Sequence, residues 1–203
     1  MTQTSTTAST TTDPRPAFGS AVETAVAAVA AVRPEQLAGR TPCTEYDVRA
    51  LVGHLVAVLR RVAAVGRGEP PFSVSQVTTG VPVDGWAAAA RAAAAEVRAV
   101  WSDDRLLDRE LTLPFGRYPG AAALAAYTAE LTTHTWDLAQ ATGQAPDWDE
   151  RVLAVALPAA HRILPADVRG GPVPFGPVVP VPDDAPLVDR LVAWQGRDPR
   201  WTP

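Results

Sequence analysis

The sequence predicts an all-α fold: a bundle of four main helices with a long crossover between the second and the third. Three observations predict it. Apolar residues recur at helical spacing through each long segment. No segment sustains the apolar–polar alternation of a half-buried strand. Residues 67–83, rich in Gly, Pro, Ser and Thr, form a connection long enough to cross the bundle.

The elements follow in order. Residues 1–16 are a polar Thr/Ser run closing on Asp13-Pro14-Arg15-Pro16, the composition of a disordered tail, and 17–203 read as a single helix-bundle domain. Ala17 to Val32 is helical, with Val22, Val26 and Val29 at helix spacing and Pro34 just beyond. Thr44-Glu45-Tyr46-Asp47 places a hydroxyl three residues before an acid, close to a capping box. The helix after it runs to about Val65, with an apolar stripe through Leu51, Leu55, Val58 and Val62, and Gly66-Arg67-Gly68 ends it. Asp84 is the expected N-cap of an alanine-rich helix reaching Trp101. Leu106 to Gly120 is short and irregular, punctuated by Pro114, Gly116 and Pro119. A helix from Gly120 to Ala141 follows, closed by Gly143. Another spans Asp149 to Leu164, with a kink expected at Pro158. Residues 170–186 are too rich in proline for a regular helix or a central strand, and a short helix, Leu187 to Gln195, comes last.

Composition narrows the function. The chain has 203 residues and a net charge of −4, so it lacks the basic footprint of a nucleic-acid binder. All 18 basic residues are arginine, which excludes Schiff-base and lysine-base chemistry. Cys43 is the only cysteine and permits no intrachain disulfide. The start of the chain has no basic and apolar leader pattern, and no uncharged apolar run reaches the ~18 residues of a membrane span. The expectation is a cytoplasmic protein without a membrane or nucleic-acid partner.

Chemistry concentrates in Glu130-Leu131-Thr132-Thr133-His134-Thr135-Trp136-Asp137. Residues four apart share a helix face, so Glu130 and His134 can aim at one point. A carboxylate and an imidazole so placed are two ligands of a catalytic zinc site, and such sites keep an open position. Of the three histidines, His54 is the best third ligand and His161 the reserve. The bland readings stand beside this one. His54 and His161 also suit core histidines, and Glu130/His134 suits a solvated i,i+4 pair contributing about 0.3–0.5 kcal/mol. Tyr127, Glu130, Thr133, His134 and Asp137 form a polar stripe, with Leu124, Leu131 and Leu138 on the other side, and periodicity leaves open which side is buried. Asp137, one turn past His134, suits a carboxylate that orients a liganding imidazole, or an ordinary surface acid. Cys43 has no histidine near it in sequence and reads as structural. Arg60 and Arg61 read as surface arginines, with an acidic substrate as the alternative use.

Thr41-Pro42-Cys43-Thr44-Glu45-Tyr46-Asp47-Val48-Arg49-Ala50-Leu51-Val52-Gly53-His54-Leu55 resembles the second-helix signature of the mycothiol-dependent maleylpyruvate isomerase N-terminal family, part of the DinB/YfiT-like superfamily of metal-binding helix bundles. Leu113-Pro114-Phe115-Gly116 and Glu130 to Ala139 resemble its later signature. Gly196-Arg197-Asp198-Pro199 resembles the end of an actinobacterial subgroup known only as metal-binding. The resemblance spans roughly Ala17 to Trp201. It implies a DinB-like bundle whose metal ligands are His54, Glu130 and His134, with a low-molecular-weight thiol such as mycothiol as cosubstrate. The implied activity is a metal-dependent, zinc-first thiol transferase or isomerase acting on a small electrophile. Tyr46 stands where the family commonly has tryptophan. Two alternatives remain open: a metal-dependent hydrolase, and a non-catalytic metal- or ligand-binding protein acting as a homodimer or a partner-binding module.

Overall fold

The computed structural model describes residues 13–169 and 175–203. Residues 1–12 of the expected tail 1–16, and the first part of the proline-rich segment, 170–174, lie outside the described residues, while Arg15 and Pro16 of that tail are helical instead. Among the described residues there are six α-helices and one two-stranded sheet: α1 Arg15–Ala30, α2 Val48–Arg67, α3 Trp86–Val100, β1 Glu110–Leu113, β2 Gly116–Pro119, α4 Gly120–Thr142, α5 Glu150–Ile163 and α6 Leu187–Trp194. The all-α class is what the structure shows. The first four helices form the bundle, and 68–85 is the crossover from α2 to α3. None of the described helices is long and apolar enough to cross a membrane.

Local chemistry sets the ends. Arg15 starts α1 two residues before the expected Ala17, because Pro14 and Pro16 accept helical φ where no backbone N–H is required. Asp47 caps α2 by accepting from the Ala50 amide at 2.7 Å, so the cap is Asp47 itself rather than a box opened by Thr44. Helix α3 starts at Trp86 with Gly85 at the N-cap; Asp84, expected in that role, lies one residue outside and makes no cap bond. Helices α2 and α4 both end on a glycine of positive φ, Gly68 (φ 85°) and Gly143 (φ 68°), which only glycine adopts freely. Pro158 lies within α5, which continues through it to Ile163.

The stretch read as irregular contains an antiparallel hairpin. Glu110 pairs with Pro119 and Leu113 with Gly116, around the turn Pro114-Phe115. Leu111 and Leu113 point into the core while Glu110 and Thr112 face solvent. That alternation spans only four residues beside Pro and Gly, too short to separate from a loop by pattern.

Helix α4 carries the architecture. It packs against α1 and α2 on one side and against α5 and α6 on the other. Leu124, Tyr127, Leu131 and Leu138 enter the bundle core, while Ala129 and Trp136 join Leu153, Leu157, Leu191 and Val192 in a second cluster. Periodicity could not say which side of α4 is buried because both are. Its threonines tolerate this by bonding back along the helix: Thr128, Thr132 and Thr142 each donate to the carbonyl four residues earlier.

Candidate metal centre

Helix α2 offers His54 and helix α4 offers Glu130 and His134, at the contact between these two helices. One donor atom from each of the three lies within 4.8 Å of the others. His54 Nε2 is 3.6 Å from Glu130 Oε1, and the two histidine rings meet edge-on with centroids 4.6 Å apart. His161, the reserve, is not among them. It is exposed on α5 with its ring against Trp194 at 3.9 Å, so the core-histidine reading of His161 fails as well.

Outer partners orient each candidate ligand. His54 Nδ1 lies 2.9 Å from the Gln76 carbonyl, which can only accept, so Nδ1 carries the proton. In the neutral ring Nε2 is then the free nitrogen, and it is buried without a hydrogen-bond partner among the described residues. Gly53 makes this possible. The Thr78 amide donates to the Gly53 carbonyl at 3.0 Å, and a Cβ on Gly53 would stand 2.5 Å from the Thr78 carbonyl oxygen. Residues 76–78 of the crossover can lie this close to α2 only over a residue without a side chain. Tyr46 stacks on His54 with centroids 4.9 Å apart and restrains the ring.

His134 Nδ1 donates to Asp137 Oδ2 at 3.1 Å, leaving Nε2 as its free nitrogen. Burial pushes the His134 imidazole below its ordinary range, which favours the neutral, ligating form. Asp137 is fully buried. Arg197 meets it with Nη2 2.9 Å from Oδ2 and Nε 3.2 Å from Oδ1. Burial alone would raise the Asp137 carboxyl; Arg197 and the bond from His134 outweigh it and hold the group below the usual carboxylate range. Asp137 therefore stands where the sequence suggested, behind a histidine, and is not a surface acid.

Glu130 is half-buried. Burial pushes its carboxyl up, but the His54 and His134 imidazoles, when protonated, and the Arg61 guanidinium outweigh it and hold the carboxyl below the usual range. Arg61 is not a surface residue. It is 4% exposed, with Nη1 3.9 Å from Glu130 Oε1 and Nη2 bonded to Gln76 Oε1 at 3.1 Å. Arg60, one residue earlier, is the exposed one of the pair.

The donor set fits a divalent ion on two grounds. An unpartnered buried imidazole nitrogen faces an ionised carboxylate at a distance too long for a hydrogen bond. That separation is close to the ~3.4 Å edge of a tetrahedron with arms of about 2.1 Å. Two nitrogens and one carboxylate oxygen, each backed by an outer partner, are the ligand types of an open zinc site.

Sequence reasoning missed Gln76, Arg61 and Arg197 as partners of the centre. Gln76 acts through a backbone carbonyl and has no sequence signal. Arg197 had one, the quoted Gly196-Arg197-Asp198-Pro199 run. Cys43 has no histidine near it in sequence and was read as structural. It is buried, and burial raises its thiol pKa, yet its sulfur lies within 4.8 Å of ligand atoms of His134 and Asp137.

Residues 18–139, more than half of the chain and all three candidate ligands, match the mycothiol maleylpyruvate isomerase N-terminal domain. The chain belongs to that family. It is also similar to two uncharacterized proteins of Mycobacterium tuberculosis, MT0763 of strain CDC 1551 / Oshkosh and Rv0738 of strain ATCC 25618 / H37Rv. Each is 34% identical over 188 residues, which are 93% of this chain and 100% of the relative. No solved structure matches the chain. The matched region of this isomerase-family member stops at 139, two residues after Asp137, so α5, α6 and Arg197 lie beyond it.

Proposed function

We propose that His54, Glu130 and His134 hold one divalent ion, zinc by donor type, and that the protein is a thiol-dependent transferase or isomerase using a low-molecular-weight thiol such as mycothiol. The observation that carries the metal part is the unpartnered Nε2 of His54 facing the Glu130 carboxylate. Family membership supports the thiol part. Zinc, when bound, supplies Lewis acidity that deprotonates a coordinating thiol.

The chain's own residues do the rest. Gln76 and Asp137 keep the Nδ1 protons in place, so that both rings present Nε2 as donor. Arg61 keeps Glu130 ionised and limits its movement. Tyr46 covers one face of His54 against water. With His54, Glu130 and His134 as its protein ligands, the ion would keep an open position at which a thiol could bind beside a small electrophile. Cys43 has its thiol pKa raised by burial and is not the nucleophile in this scheme. We place the protein in the cytoplasm, where low-molecular-weight thiols are kept reduced.

The test is metal analysis of the purified protein, then titration of the metal-loaded protein with mycothiol and a screen of electrophiles. Binding of thiol only when metal is present, followed by thiol-dependent turnover, is the expected result. No thiol binding at millimolar concentration with the metal in place defeats the thiol reading. Turnover of esters or amides without thiol would identify a hydrolase instead.

A further inference from the structure

We infer that Arg197, 60 residues beyond Asp137 in the chain, is a positioning residue of the metal centre, acting through Asp137 on His134. The inference rests on the metal reading above. It assigns the C-terminal segment a part in the site, although the family match ends before that segment begins.

The placement of Arg197 is built from local structure upward. Helix α6 docks on α5 and α4 through Val188, Leu191 and Val192. Its end is a Schellman turn. The Gly196 amide donates to the Ala193 carbonyl at 3.0 Å and the Arg197 amide to the Val192 carbonyl at 2.9 Å, with Gly196 at φ 82°. The turn reverses the chain and sends the Arg197 side chain inward to a site where it is 10% exposed. The guanidinium is pinned three ways: Nη1 to the Gln195 carbonyl at 2.8 Å, Nη2 to Asp137 Oδ2 at 2.9 Å, and Nε to Asp137 Oδ1 at 3.2 Å. A planar guanidinium that meets both carboxylate oxygens fixes the plane of the carboxylate as well as its charge. With that plane fixed, Oδ2 accepts from His134 Nδ1, and Nε2 remains the donor toward the centre.

A clamp that only fastened α6 to the bundle would have no need of this geometry. The Asp137 carboxylate carries no surface exposure and, among the described residues, bonds to two groups alone, His134 and Arg197. Without Arg197, one of its oxygens would be a buried, unmet acceptor, free to rotate away from His134 or to recruit another donor.

The experiment uses the full chain and four variants: Arg197→Gln, Arg197→Lys, Asp137→Asn, and Arg197→Gln with Asp137→Asn. Zinc affinity is read by competition with a chromogenic chelator, and folding by circular dichroism. The His134 tautomer is read in metal-free, 15N-histidine protein, where three histidines give an assignable spectrum. Arg197→Gln and Asp137→Asn should each weaken zinc roughly 10–100-fold. The double variant should lie within about twofold of the weaker single variant, because both act through one link. Arg197→Lys should fall between wild type and Arg197→Gln, and it carries the comparison if Arg197→Gln does not fold. In the metal-free spectrum, wild-type His134 should be the Nδ1–H tautomer, and Arg197→Gln should shift it toward a mixture. A folded Arg197→Gln protein with wild-type affinity and tautomer overturns the inference. So do losses in the double variant that multiply, the mark of a clamp independent of Asp137. If wild type itself binds no zinc, the metal reading falls, and the tautomer comparison alone decides whether Arg197 positions His134.

Discussion

Gly53→Ala separates the outer support of the centre from its ligands without touching a ligand. An added methyl would stand 2.5 Å from the Thr78 carbonyl oxygen and 2.8 Å from Val77 Cγ1. The first of these is backbone, so residues 76–78 must move away from α2. The Gln76 carbonyl moves with them, and His54 Nδ1 loses its 2.9 Å partner. Arg61 is disturbed too, since it bonds to the Ser75 carbonyl and the Gln76 side chain. Two stability effects oppose each other. Overpacking costs about 1–3 kcal/mol, and replacing a mid-helix glycine by alanine returns about 1 kcal/mol. The net loss of metal-free stability is therefore about 0–2 kcal/mol. Loss of an outer partner of a liganding histidine costs about 10–100-fold in metal affinity, or ~1.4–2.7 kcal/mol. The variant should thus fold and bind zinc weakly. Chelator competition measures the affinity and thermal melting of metal-free protein measures the stability. Gly19→Ala is the control: it lies in α1 with nothing within 4 Å of the added methyl, and should gain up to about 1 kcal/mol with affinity unchanged. A folded Gly53→Ala protein with wild-type zinc affinity would refute the reasoning that the crossover orients His54.

Further outcomes follow from the same geometry. His54→Ala and His134→Ala should each strip metal from the purified protein, whereas His161→Ala, on the exposed side of α5, should leave metal content as in wild type. Glu130→Ala should abolish thiol-dependent turnover, and Cys43→Ser should leave it largely intact; loss of turnover in the serine variant with metal retained would make Cys43 part of the chemistry. Stability of the metal-free protein should fall on acidification. Burial holds His134 below its ordinary 6.5, so the unfolded chain binds more protons there, and this contribution is present above 6.5 and lost progressively as pH falls from 6.5 through the lower folded-state value. Asp137, held below its ordinary 3.8, adds a second loss as pH falls below that value. A melting temperature that rises between about pH 7 and about pH 5 would contradict this.

The helices were legible because their signals are local. Apolar spacing marks α1 and α2, glycines at 68 and 143 close α2 and α4, and four-residue spacing aligns Glu130 with His134. The three candidate ligands were legible as residue types, and their pattern carried the family resemblance. What could not be read needed neighbours distant in the chain. Periodicity on α4 was blind because α5 and α6 cover the side that solvent would otherwise define. Arg61 looked like a surface arginine until a carboxylate from α4 and neutral oxygen acceptors from the crossover met its buried guanidinium. His161 looked like a core residue until the face of α5 that carries it proved to face outward. The outer support of the centre comes from a backbone carbonyl at Gln76 and a side chain at Arg197, reached across 22 and 60 residues. A carbonyl has no residue type to recognise, and an arginine acquires its role only when the fold brings it to a buried acid. The sequence determined which atoms can ligate; tertiary packing decided which of their lone pairs are left free to do so.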